Sequence, residues 1–78
     1  MCKTGDGTAG PKGSETDTQQ LFSSLKECIN YVKKNYPDAN GATIQTDCTD
    51  SCKCFAEFGM VDWNTNSKYK SCMYEPGM

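Results

Sequence analysis

Apolar residues recur along the chain in two different periods. Leu21, Leu25, Cys28, Ile29, Val32 and Tyr36 follow helical spacing and fall on one face, while Lys26, Asn30, Lys33 and Lys34 fall elsewhere. Ser24 followed by Glu27 is a capping box, Thr18 is a competing earlier start, and Pro37 disfavours helix at Tyr36. The pattern predicts an amphipathic helix over Ser24 to Asn35. Beyond the turn at Asn40-Gly41 the period shortens. Ala42 to Thr46 reads as a short strand and Asp47 to Ser51 as a loop. In Cys52 to Phe58, the residues Cys52, Cys54, Ala56 and Phe58 share one face, and Lys53, Phe55 and Glu57 the other. Residues 62–67 form a polar turn around Trp63, and Lys68 to Tyr74 reads as a last strand. Ahead of the helix, Gly5, Gly7, Gly10, Pro11 and Gly13 punctuate a polar stretch, so residues 1–20 are expected to be mostly irregular. The expected fold class is α+β, with one amphipathic helix packed on a small antiparallel β-sheet, in a single domain over 1–78.

Composition explains how so short a chain holds together. Only 36% of its 78 residues are hydrophobic, and small cores usually need staples. Six cysteines and no histidine supply them. An even count at this density reads as a disulfide framework and a secreted, extracellular protein. The start of the chain is polar, so secretion implies either that Met1 is not the natural start or that a leader has been removed. Cys52 and Cys54 on one strand lie roughly 6.5–7 Å apart, at the limit of disulfide reach. Cys28, on the apolar helix face, is expected to reach Cys54 in the strand beneath. Cys48 and Cys52 then close a small loop, and Cys2 and Cys72 clasp the chain ends. A link over that last span contributes roughly 4 kcal/mol in the chain-entropy model.

Metal and redox alternatives fit poorly. Structural zinc wants four Cys or His ligands, usually in two spaced pairs, and Cys48, Cys52 and Cys54 match none of the common patterns. There is no Cys-X-X-Cys. Asp47 and Asp50 suit a hard cation in type but lack the spacing of a calcium loop. No cofactor is therefore expected. With net charge −2 and no arginine, the chain is not expected to bind nucleic acid, and no apolar run suits membrane insertion.

The cysteine order, the Ser24–Cys28 helix start Ser-Leu-Lys-Glu-Cys, the strand-like Asn40-Gly41-Ala42-Thr43, the segment Cys52-Lys53-Cys54-Phe55 and the final Cys72 together resemble a PAN/apple-like extracellular module. The resemblance covers roughly residues 2–74. It implies a helix on a curved antiparallel sheet, a helix-to-strand disulfide and, in one subgroup, a link between the termini. Such modules commonly bind protein or glycan. The chain departs from the pattern at Val32, where a second helix cysteine often stands. The run Cys54-Phe-Ala-Glu-Phe-Gly59 instead resembles a cysteine-rich extracellular repeat of marine invertebrates.

Catalysis finds little support. Without histidine or free thiols, the usual nucleophile–base pairs are missing. The carboxylates Asp47, Asp50, Glu57 and Asp62 read as solvated loop groups. Surface aromatics are the better candidates, because Tyr and Trp anchor interfaces and their faces stack on sugars. The candidate ligand-binding residues are Phe55, Trp63, Lys68, Tyr69 and Lys70. Trp63 and Tyr74 serve equally well as core filling. Phe55 either packs under a loop or faces a partner, and Tyr69 is expected to face solvent. Lys26, Lys33 and Lys34 are read as a solvated helix face. The expectation is a secreted, non-enzymatic recognition module for protein or glycan. The rivals are a secreted effector (toxin, pheromone-like signal or protease inhibitor) and a self-associating adhesive or matrix protein.

Overall fold

The computed structural model describes residues 1–76; the last two residues of the expected domain lie outside the described residues. The elements are β1 (Cys2–Thr4), β2 (Gly7–Phe22), α1 (Leu25–Asn35), β3 (Gly41–Gln45), β4 (Cys52–Trp63) and β5 (Tyr69–Met73). The strands form one antiparallel sheet in the order β1-β5-β3-β4-β2, and the helix packs on one side of it.

The helix starts as its capping residues require. The Ser24 side chain accepts from the Glu27 amide at 3.2 Å, satisfying a donor that the first turn leaves free. The Glu27 carboxylate in turn accepts from the Ser23 and Ser24 hydroxyls. Lys33 and Lys34 in the last turn suit the negative end of the helix dipole. Tyr36 stands just past the helix as its C-cap, with its amide bonded to the Val32 carbonyl. Leu21, whose spacing placed it on the helical face, instead belongs to β2 and is largely exposed. The Ser24 cap fixes the start, so the apolar period carries on for one residue that the helix does not include.

The core lies between helix and sheet. Cys28, Val32, Ala39, Ala42, Ile44, Cys54 and Ala56 are buried there, ringed by Phe22, Leu25, Ile29, Tyr36, Phe58 and Tyr74. A chain of tilted or edge-on ring contacts, Phe22 to Tyr31 to Tyr36 to Phe58, closes the flank of this layer. The three disulfides are Cys2–Cys72, Cys28–Cys54 and Cys48–Cys52, as the spacing argument expected. Register accounts for the first of these. Cys2 and Cys72 are Cα partners between β1 and β5, and both are therefore on one face. In the second, Cys28 and Cys54 are fully buried, with their Cα atoms 5.6 Å apart.

Residues 1–20, expected to be mostly irregular, instead supply β1 and most of β2, including the long edge of the sheet. The alternation that identifies a strand is hidden in this polar, glycine-rich segment, and β2 also slips register against β4 at three points: Thr8/Ala9, Ala9/Ser14 and Asp17/Leu21. The slips break the one-to-one pairing with β4, and the glycines and polar residues of the segment leave no apolar face to mark a period of two. At the last slip Gln19 takes a positive φ of 60°, held by its amide bond to the Asp17 carboxylate, and Thr18 donates to the Cys54 carbonyl at 2.8 Å. β4 is longer than its alternation predicts and ends at Trp63, within the 62–67 segment that reads as a turn from the sequence. Its continuation past Gly59 (φ 64°) is pinned by the Asn40 side chain. That amide accepts from the Met60 N–H at 2.8 Å and donates to the Met60 carbonyl at 2.9 Å.

The link from β1 to β2 crosses toward β5. The Gly5 amide donates to the Tyr69 carbonyl, and the buried Ser71 hydroxyl donates to the Gly5 carbonyl at 2.6 Å. Gly5 has φ +132°, and a Cβ there would sit 2.2 Å from the Asn64 carbonyl oxygen. Replacing Gly5→Ala is expected to cost more than about 1 kcal/mol, because both backbone conformation and space oppose a side chain. Chemical denaturation should show a lower midpoint at unchanged slope.

Candidate functional site

The face of the sheet away from the helix is unusually polar for a packed surface. Cα partners in antiparallel strands share a face, so one row runs Lys3, Ser71, Thr43, Phe55 and Asp17 across all five strands. The neighbouring row pairs Glu15 with Glu57, and Glu57 with Gly41. Thr43, Glu57 and Ser71 are almost completely buried. Each meets a polar partner. Thr43 donates its hydroxyl to the Glu57 carboxylate at 2.6 Å, and Ser71 to Gly5 as described. Trp63 covers the end of this face, with its indole N–H donated to the Ser71 carbonyl at 3.0 Å and the Lys3 ammonium 4.6 Å from its ring centre.

Three carboxylates converge over Glu57. Single oxygen atoms of Asp6, Glu15 and Glu57 lie within 4.8 Å of one another. Glu15 arrives by strand register. Asp6 arrives because Asn64 holds the β1–β2 link, accepting from the Asp6 amide at 2.9 Å through its side chain and donating its own amide to the Asp6 carbonyl. Space for the group comes from Gly7, where a Cβ would come within 3.1 Å of the Glu57 carboxylate. One Asp6 carboxylate oxygen is buried with no hydrogen-bond partner. Like charges opposite one another are destabilising, and the chain answers by holding protons. Burial, then the hydrogen bond and charge of Glu57, push the Glu15 carboxyl up to about 7. Burial, then Glu15, raises Asp6 to about 6. Burial raises Glu57 as well, against the opposing hydrogen bonds from Glu15 and Thr43. Oxygen donors at this separation are the type that hard cations take. Asp47 and Asp50, which suit a hard cation in type, are exposed and stand apart from this group.

Beside this cluster the same face carries an aromatic pair. Phe55 and Tyr69 meet edge to face with ring centres 6.3 Å apart, and both are half-buried. Asp17 and Lys53 lie exposed around them, and Gln45 is the register partner of Tyr69. Tyr69 is thus shared between solvent and Phe55, where solvent alone was expected. Of the five candidate residues, the structure brings Phe55 and Tyr69 together and sets Trp63 on the same side. Lys68 is exposed just before β5. Lys70 departs from the group. It pairs with Ile44, which pairs with Cys54, so it emerges on the helix side of the sheet. Alternation within β5 enforces the split between Tyr69 and Lys70. Asp6 and Glu15 escaped sequence reasoning because the segment that carries them lacks a readable period. A direct Glu15–Glu57 pairing needs the register that only the bulges set.

Among the described residues no helix is long and apolar enough to cross a membrane. No family model, curated protein or solved structure matches the chain.

Raised carboxyl values mean that the folded chain holds more protons than the unfolded chain between about pH 4 and 7. Stability should therefore fall as pH rises through that window. The substitution Glu57→Gln keeps an acceptor for Thr43 and removes one charge. It is expected to melt higher than the parent at pH 8, by roughly 4–8 °C per kcal/mol of repulsion relieved. The difference should shrink below pH 5, as thermal unfolding across pH will show.

Proposed function

We propose that this chain is a secreted, non-enzymatic recognition module that binds protein or glycan through the Phe55–Tyr69 face of its sheet. The observation that carries the reading is that half-exposed aromatic pair, set on the side the helix leaves free and edged by charged residues. Rigid aromatics held by strands offer large contact area at little entropic cost, and they suit both protein hot spots and the faces of sugar rings. A helix stapled to an inner strand and termini stapled to each other support a PAN/apple-like module. The disulfide density supports secretion. The absence of histidine, with all six cysteines in disulfides, leaves no ordinary nucleophile–base pair, which supports a binding role.

A second reading has one specific observation behind it. The exposed segment from Asn64 to Lys68 is braced by its own side chains. Asn64 accepts from the Asn66 amide at 2.9 Å, and Asn66 from the Lys68 amide at 3.0 Å. A rigid exposed loop is what a protease inhibitor presents.

Arrays of extracellular proteins and glycans are expected to return a ligand. Phe55→Ala or Tyr69→Ala should weaken it roughly tenfold or more, the scale of an interface anchor. Lys34→Ala, on the exposed face of the helix, should leave it unchanged. Loss of binding in the Lys34 variant, or none in the aromatic ones, would place the site elsewhere. The inhibitor reading predicts slowed cleavage by at least one enzyme in a protease panel, and relief of that inhibition on replacing Lys68→Ala.

A further inference from the structure

The helix side of the sheet carries an opening of its own. A cavity of about 380 Å³ lies where the start of α1, the ends of β3 and β5 and the Cys48–Cys52 loop meet. Its wall includes Leu25, Ile44, Gln45, Thr49, Asp50 and Lys70. The volume is at the small end of the range of about 300–1,000 Å³ typical of small-molecule sites. Three features of the fold keep it open. The Ser24 cap starts α1 here, so no earlier helical turn occupies the space. Register sends Lys70 to this side beside Ile44. The Cys48–Cys52 bond holds Thr49 and Asp50 within a closed loop.

The lining narrows the ligand chemistry. Thr49, Asp50 and Lys70 are exposed, and among the described residues their side chains make no hydrogen bond within the chain. They offer an ammonium donor, a carboxylate acceptor and a hydroxyl that serves as either. Leu25 and Ile44 supply a small apolar wall between them. An anion is disfavoured. The positive end of α1 already faces the Glu27 carboxylate, which the Ser23 and Ser24 hydroxyls hold below its ordinary value, and Asp50 adds a second negative charge. A wholly apolar ligand would strip water from Lys70 and Asp50 without replacing it. A neutral ring with hydroxyls around its rim and a C–H face satisfies both parts of the wall.

We propose that this cavity binds one neutral pyranose, as the terminal unit of a glycan. The proposal rests on the recognition reading above. It uses the surface opposite Phe55 and Tyr69, so the two can fail separately.

The test is a ¹H–¹⁵N NMR titration of the full chain with the methyl glycosides of glucose, galactose and mannose and with N-acetylglucosamine. Sodium sulfate and glucuronate serve as charged comparisons. At least one neutral sugar should shift the amides of Leu25, Gln45, Thr49, Asp50 and Lys70 in a saturable way. Asp50→Ala and Lys70→Ala should each weaken that sugar roughly tenfold, the loss of one hydrogen bond to a charged group. Both positions are exposed, and the spectrum itself reports whether each variant is folded. Shifts confined to Phe55, Tyr69 and their neighbours would overturn the cavity assignment and leave the recognition reading standing. Absence of shifts with every neutral sugar, or cavity shifts with the charged compounds alone, would overturn it as well.

Discussion

The Cys28–Cys54 bond is the constraint on which the other parts of this fold depend. It joins the one helix to an inner strand at the centre of a core built from small residues. Alanines at 39, 42 and 56 let the helix approach the sheet closely, but they contribute little apolar area of their own. A crosslink through this thin layer fixes the helix over β3 and β4. It thereby fixes which side of every strand is core and which is free.

That division is what gives the opposite face its character. Because the apolar residues are committed to the helix side, the other side is built from Thr43, Glu57, Ser71 and Met60 beneath Trp63 and the β1–β2 link. Buried polar groups are tolerated there because each is matched. Thr43 meets Glu57, Ser71 meets Gly5, and Asn40 serves both backbone groups of Met60. The mismatch on this face lies at Asp6, Glu15 and Glu57, whose mutual repulsion is relieved by protons held at higher pH than usual. The fold thus places its least comfortable group beside the half-buried pair Phe55 and Tyr69. It leaves the helix side, with the Lys70 cavity, electrostatically mild.

Cysteine spacing proved more informative than hydropathy. Cys52 and Cys54, two residues apart on one strand, lie at the limit of disulfide reach, and with Cys28 on the apolar helix face this spacing points to the three disulfides observed. The helix from the Ser24 cap onward was equally legible, since capping and the 3.6-residue period act over a few neighbouring residues. The strands β3, β4 and β5 were readable in outline because one face of each is apolar. β2 was not. Its sixteen residues are mostly polar or glycine and slip register against β4 at three points, so no apolar face marks them as a strand. Phe55 and Tyr69 could be named as surface aromatics from their place in the alternation, but not as a contacting pair.

The residues alone determined the helix, its boundaries, the opposed faces of Cys52 to Phe58 and the pattern of staples. All of these follow from local spacing. Tertiary structure decided what depends on long-range register. It turned a glycine-rich segment into the longest strand and gathered Asp6 and Glu15 over Glu57. It also brought Tyr69 against Phe55, fourteen residues away in the chain. Those outcomes rest on which residues face one another across strands far apart in sequence. That pairing is chosen by the whole set of backbone hydrogen bonds and disulfides together, and no local stretch of the chain encodes it.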